Sequence, residues 1–198
     1  MPQITLFATE PQVLADDARG RIAYEPGFVD PATARAWFEA IRESAPWAAQ
    51  RRQMYDREVD VPRLTARYAT DDAEAPGAIR DAVARVGLHT GVAFTSVGLN
   101  FYRDGRDSVA MHNDHLHELE SGFPIALVSL GSARRMTIRA KEPPRRPLAL
   151  DLEPGSLLLM SYETQIHYLH GIPKTKEDVG PRISLAFRVR PAQPGGRY

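Results

Sequence analysis

From Thr95 to Arg190 the chain is written almost wholly in short β-forming runs broken by turn residues, and that texture limits its possible folds more than any other feature. Candidate strands are Ser96–Arg103, Val109–His112, Pro124–Leu130, Arg135–Ala140, Pro147–Leu152, Ser156–Ser161, His167–Gly171 and Arg182–Arg190, with turns at Asp104-Gly105 and Pro154-Gly155. Upstream the periodicity is helical. Asp30-Pro31 offers an N-cap and an N1 proline, Ala34, Trp37, Phe38, Ile41 and Ala45 follow on one face, and Pro46 ends the run. Ile79, Ala82, Val83 and Val86 mark a second amphipathic helix, expected to stop at Gly87. Near the start, Arg21 to Tyr24 reads as a strand. Helices followed by a long run of strands predict an α+β chain: a double-stranded β-helix, or jelly roll, with the N-terminal helices on the outer face of one sheet.

At 198 residues one domain is expected. It would run over 1–190, with 1–95 the helical and substrate-recognition part, 96–190 the jelly-roll core, and 191–198 a frayed tail. A chain of this size buries roughly 70% of its unfolded surface and needs no covalent staple. It has no cysteine, which removes disulfides, thiolate catalysis and Cys-ligated zinc or iron–sulfur sites. Its 25 basic residues balance 25 acidic ones, which disfavours a globally basic nucleic-acid binder and leaves a local basic groove open. Early acidic residues (Glu10, Asp16, Asp17) and the lack of a long apolar run leave no visible signal peptide or spanning segment. A cytoplasmic monomer without a membrane partner is the expectation.

Two patterns point to chemistry. His112 and Asp114 stand two apart, and in an extended chain side chains two apart point the same way, so an imidazole and a carboxylate converge. A later histidine, His170 or its neighbour His167, can complete two His and one carboxylate, the facial set of non-haem Fe(II) oxygenases. In the last strand Ile183, Leu185, Phe187 and Val189 share one face, and Arg182, Ser184, Ala186, Arg188 and Arg190 share the other. That polar face either meets water or lines the barrel mouth. In the second case Arg182 and Arg188 enter a cavity that needs an anion, because an unpaired buried charge is costly. Between residues 47 and 70, Arg63 and Arg67 with nearby Arg57, Tyr55 and Tyr68 form either a solvated face or a nucleic-acid surface.

The order of these features resembles the AlkB family of Fe(II)/2-oxoglutarate dioxygenases. The matching stretches are Asn100-Phe-Tyr-Arg-Asp-Gly, His112-Asn-Asp, Pro124-Ile-Ala-Leu-Val-Ser-Leu-Gly, Pro154-Gly-Ser-Leu-Leu-Leu-Met, His170-Gly-Ile-Pro and Pro181-Arg-Ile-Ser-Leu-Ala-Phe-Arg, with a weaker match at Val61-Pro-Arg-Leu-Thr-Ala. The resemblance implies Fe(II) bound by His112, Asp114 and His170, and 2-oxoglutarate and O2 as cosubstrates. Arg182, helped by Tyr102, would pair with the distal carboxylate of 2-oxoglutarate. Arg188 would lie near the proximal carboxylate, Asn100 would hydrogen-bond the cosubstrate, and Ser184 would stand between the two arginines. The implied reaction couples decarboxylation to succinate with hydroxylation of an N-alkyl group, released as an aldehyde. Alkylated bases in DNA or RNA are the expected substrate, with Tyr55, Tyr68, Arg63, Arg134 and Arg135 as contacts. Arg51, Arg52, Arg145 and Arg146 are further phosphate candidates. A hydroxylase or demethylase of a protein or small molecule is the alternative, and Leu116 speaks for it by standing where repair members often carry an acidic residue.

Overall fold

The helix and strand signals act locally, and the sheets assemble what they produce. The computed structural model describes residues 10–54 and 57–192; Tyr55 and the end of the expected tail, from residue 193, lie outside the described residues. In chain order the elements are β1 (Gln12–Asp17), β2 (Gly20–Glu25), α1 (Pro31–Ser44), β3 (Ala48–Met54), β4 (Arg57–Ala69), α2 (Gly77–Thr90), β5 (Ser96–Tyr102), β6 (Val109–His112), β7 (Ile125–Gly131), β8 (Arg134–Ala140), β9 (Leu148–Leu152), β10 (Leu157–Met160), α3 (Tyr162–His167), β11 (Tyr168–Ile172) and β12 (Arg182–Arg188).

α1 begins where its signal lies. Asp30 Oδ1 accepts the backbone N–H groups of Ala32 and Thr33, each at 3.0 Å, which satisfies two of the donors a helix start leaves open. The helix ends at an extended Ala45, as the residue before a proline requires. α2 runs past the expected stop. Gly87 stays helical, and the chain leaves the helix at Gly91, whose φ of +69° is the left-handed cap that glycine adopts without strain. α3 was not expected, because six residues are too short for a helical period to emerge. β3 was also unforeseen; it pairs with β4 and extends the sheet edge.

The strands form an eight-stranded sheet, β1-β2-β10-β7-β12-β5-β4-β3, and a four-stranded sheet, β6-β11-β8-β9, and every pairing is antiparallel. The result is a mostly antiparallel fold with few helices. One apolar cluster joins Trp37 and Ile41 of α1 and Ile79 and Val86 of α2 to Val97, Leu99, Val128, Ile183, Leu185 and Phe187 of the larger sheet. A second joins Ile22, Leu127, Leu158 and Met160 of that sheet to Met136, Ile138, Leu152 and Ile172 of the smaller one. The larger sheet is therefore covered on both faces. That explains why β7 and β12 are buried at nearly every position rather than at every second one.

β12 sits between β7 and β5 near the middle of this sheet. Its apolar face is packed in the helix-side cluster, so its polar face must look into the space between the sheets. Leu185 is completely buried. Leu185→Ala is expected to cost about 2–5 kcal/mol of stability, read by chemical denaturation. A cost under about 1 kcal/mol would contradict this packing.

Candidate metal and 2-oxoacid centre

β6 and β11 set the geometry. They pair antiparallel with His112 directly opposite His170, so the two imidazoles leave the same face, and their ring centroids lie 4.5 Å apart. Asp114 follows two residues after His112, just past the end of β6. One potential ligand atom from each of His112, Asp114 and His170 lies within 4.8 Å of the other two. His167, the rival third ligand, is not in this group.

The protonation states suit a cation. His112 Nδ1 lies 2.9 Å from the Ala110 carbonyl oxygen, which can only accept. Nδ1 therefore donates to that carbonyl, and Nε2 is the nitrogen left to face a metal. Burial first, and then the neighbouring His112, drives the pKa of His170 down to about 3, so it is neutral near pH 7. For Asp114, burial opposes ionisation. Arg188, whose Nε donates to Oδ2 at 2.5 Å, outweighs it and holds the carboxyl below its ordinary value. An imidazole from each histidine and one carboxylate result, a donor set that leaves coordination positions open.

A second group faces the same cavity, whose volume is about 1140 Å³. Arg182 is 0% exposed. Its Nε donates to Ser129 Oγ at 2.9 Å, and its guanidinium lies over the Tyr102 ring at 5.2 Å. Both terminal nitrogens are buried and make no hydrogen bond among the described residues. Burial lowers its pKa to about 10, which still leaves it charged near neutrality. A sealed cation with two parallel donors calls for a carboxylate, which a guanidinium grips with two bonds.

The cross-strand register brings the other expected residues to the same wall, with Arg182 opposite Tyr102 and Ser184 opposite Asn100. All four line the cavity. Asn100 Oδ1 accepts from Arg63 Nε at 2.6 Å, so Arg63 is held at the wall. Arg188, expected near the proximal carboxylate, is bonded to Asp114 itself.

The remaining substrate expectations divide. Tyr68 packs against the helix-side core on the opposite face of the sheet. Arg134 is 3% exposed and donates to the carbonyls of Asp104 (3.0 Å), Asp107 (2.9 Å) and Pro173 (2.9 Å). It pins two loops together, and its burial withdraws it from any contact with a phosphate. Arg135 is outside the cavity lining and pairs with Asp151 on the exposed face of β8 and β9, at 2.7 Å. Tyr55 lies outside the described residues. The cavity also takes Arg67 and Arg190, expected on faces that meet either water or a ligand, and Lys174, for which no expectation was made. One signal was available for Arg67: Arg63, Thr65 and Arg67 alternate along a strand and so share a face.

Residues 21–188 match the 2OG-Fe(II) oxygenase superfamily. The Mus musculus alpha-ketoglutarate-dependent dioxygenase alkB homolog 3 is 31% identical over 199 residues, covering 89% of this chain and 68% of that protein. The chain belongs to the AlkB family. DNA oxidative demethylase ALKBH2 is 41% identical over 111 residues in Bos taurus, covering 52% of this chain, and over 117 residues in Homo sapiens, covering 56%. The AlkB-family chain spans only 40% and 44% of the length of those two relatives.

Membership implies Fe(II) and 2-oxoglutarate, and two observations fit them: the His-Asp-His donor set, and in the same cavity the buried guanidinium whose terminal nitrogens lack a partner among the described residues. His170→Ala is expected to weaken divalent-metal binding by about 100-fold or more, since even residues that only orient a ligand matter by 10–100-fold. Competition with a chromophoric chelator measures it. Affinity equal to the parent protein's would show that His170 is not a ligand.

Proposed function

We propose that this chain is an Fe(II)- and 2-oxoglutarate-dependent dioxygenase that uses O2 to remove alkyl groups from the nitrogens of nucleic-acid bases. The observation that carries the reading is the fully buried Arg182, its terminal nitrogens unpaired, in the same cavity as His112, Asp114 and His170. In this reading the three residues hold iron, and the double-stranded β-helix of residues 96–190, the core of a single domain, is built around it. When bound, the iron would let O2 oxidise 2-oxoglutarate to succinate and CO2, one oxygen atom entering succinate and the other hydroxylating a substrate C–H bond.

The chain's own residues do the rest. Arg182 pairs with the distal carboxylate of 2-oxoglutarate, with Tyr102 shaping its slot and Ser129 orienting it. Arg188 keeps Asp114 ionised and fixed. Asn100 and Ser184 offer polar groups along the same wall. An N-methyl group hydroxylated beside the metal loses formaldehyde and leaves the free amine. A base reaches such a site from a single strand or after being flipped out of a duplex.

Support for a nucleic-acid substrate is twofold. ALKBH2 relatives are DNA oxidative demethylases by name, and the cavity wall is basic. In that wall Arg188 pairs with Asp114 and Arg190 with Glu118, the latter at 2.7 Å. The Arg67 side chain makes no hydrogen bond among the described residues. Its pKa is lowered, first by burial and then by Arg190. It is a cation at the mouth with no ion pair among the described residues, and a phosphodiester would satisfy it.

The deciding experiment is an aerobic incubation with Fe(II), 2-oxoglutarate and a single-stranded oligonucleotide carrying 3-methylcytosine, read by mass spectrometry. Methyl loss that requires both additions is the expected result. Succinate without methyl loss would overturn the substrate. Arg67→Ala is expected to raise the KM for the oligonucleotide, to reduce the salt dependence of its binding by a slope of about 1, and to leave the KM for 2-oxoglutarate unchanged. An unchanged salt slope would remove Arg67 from the substrate path.

A further inference from the structure

The two histidines of the site are held by a β-ladder, and Asp114 is not. His112 and His170 face each other across β6 and β11. β6 ends at His112, and residues 113–115 have no regular structure. A ligand on irregular chain needs other partners to hold its position, because small displacements weaken a metal site. Arg188 grips the carboxylate, and Gln165 of α3 grips the backbone.

Gln165 is 1% exposed, and its Oε1 accepts the Asp114 backbone N–H at 3.0 Å. Its Nε2 donates to Thr164 Oγ1 at 3.0 Å, and the Thr164 hydroxyl donates to the Ser161 carbonyl at 2.6 Å. With its proton given to Ser161, the Thr164 oxygen can only accept from Gln165. That fixes which end of the amide faces Asp114. α3 is itself anchored. Lys141 Nζ donates to the Gln165 carbonyl at 3.0 Å, and the Lys141 N–H donates to the His167 carbonyl at 2.9 Å. Ser161 exchanges two bonds with Arg21 of β2, at 2.9 and 3.1 Å. Gly20 allows that approach, since a Cβ there would stand 2.8 Å from Thr164 Cγ2.

We infer that Gln165 is a positioning residue for the metal-binding carboxylate, so that the α3–β11 unit supplies one ligand, His170, and orients another, Asp114. This rests on the reading of His112, Asp114 and His170 as a metal centre. The bond acts on the backbone of Asp114, and its effect appears in metal affinity and coordination geometry before turnover.

The test uses Co(II) as an optical probe on the full chain, with affinity from chelator competition and geometry from the visible absorption of the bound ion. Gln165→Met keeps the volume and removes the acceptor. Gln165→Asn keeps the amide but falls one methylene short, and it carries the test if the Met variant does not fold. Gln165→Glu restores an acceptor of full length. Both Met and Asn variants should bind Co(II) about 10–100-fold more weakly with an altered spectrum, and the Glu variant should recover both properties. Wild-type affinity and spectrum in the Met and Asn variants, or an equal loss in all three, would overturn the inference. Failure of the parent protein to bind Co(II) would instead overturn the metal centre.

Discussion

A guanidinium sealed inside protein with both terminal nitrogens unbonded is a costly arrangement, and the structure is arranged around it. Arg182 opens β12, a strand buried near the middle of the larger sheet. Packing of Ile183, Leu185 and Phe187 against the helices turns Arg182, Ser184, Ala186 and Arg188 toward the space between the sheets. The period-two rule makes these one event: burying the apolar face drives the charged face inward. β5 and β7 flank the strand and supply the groups that touch Arg182, with Tyr102 over its plane and Ser129 on its Nε. A carboxylate ligand completes what the protein leaves open.

The two histidines proposed as metal ligands come from the opposite sheet, through the pairing of β6 with β11, and Asp114 follows just past the end of β6. Arg188 connects the two walls, since it belongs to β12 and bonds to Asp114. The carboxylate is thus held from one side by a strand of the larger sheet and from the other by Gln165. Its charge is kept by neighbours rather than by water, and His170 is kept neutral by burial. Both conditions favour a cation between them.

Much of this was legible in the residues. The Asp30-Pro31 start, the strands from Ser96 onward and the two faces of β12 lie where local signals place them, because capping and alternation act within a few residues. Gly87 misled because a glycine inside a helix is tolerated, and the cap needs a left-handed residue, which is Gly91. That His112, Asp114, His170, Arg182 and Arg188 meet in one cavity was legible from their order along the chain. Arg134 was not, since its three carbonyl partners come from loops whose meeting depends on the sheets. Gln165 was invisible for the same reason: its partner lies 51 residues away, across a helix too short to announce itself. Tyr68 lay on a recognised strand, and only the sheet's packing decided which of its faces met the helices.

The central claim is that one cavity joins a metal to a 2-oxoacid through Arg182. It is tested most directly by anaerobic titration of 2-oxoglutarate into the Fe(II)-loaded chain, followed by the visible charge-transfer absorption that a metal-chelated 2-oxoacid produces. The account predicts a saturable band at one equivalent that requires Fe(II), and a much weaker affinity in Arg182→Met, whose folding should not suffer from removal of an unpaired buried charge. A band that forms with the same affinity in a folded Arg182→Met protein, or no band in the iron-loaded parent, would contradict it.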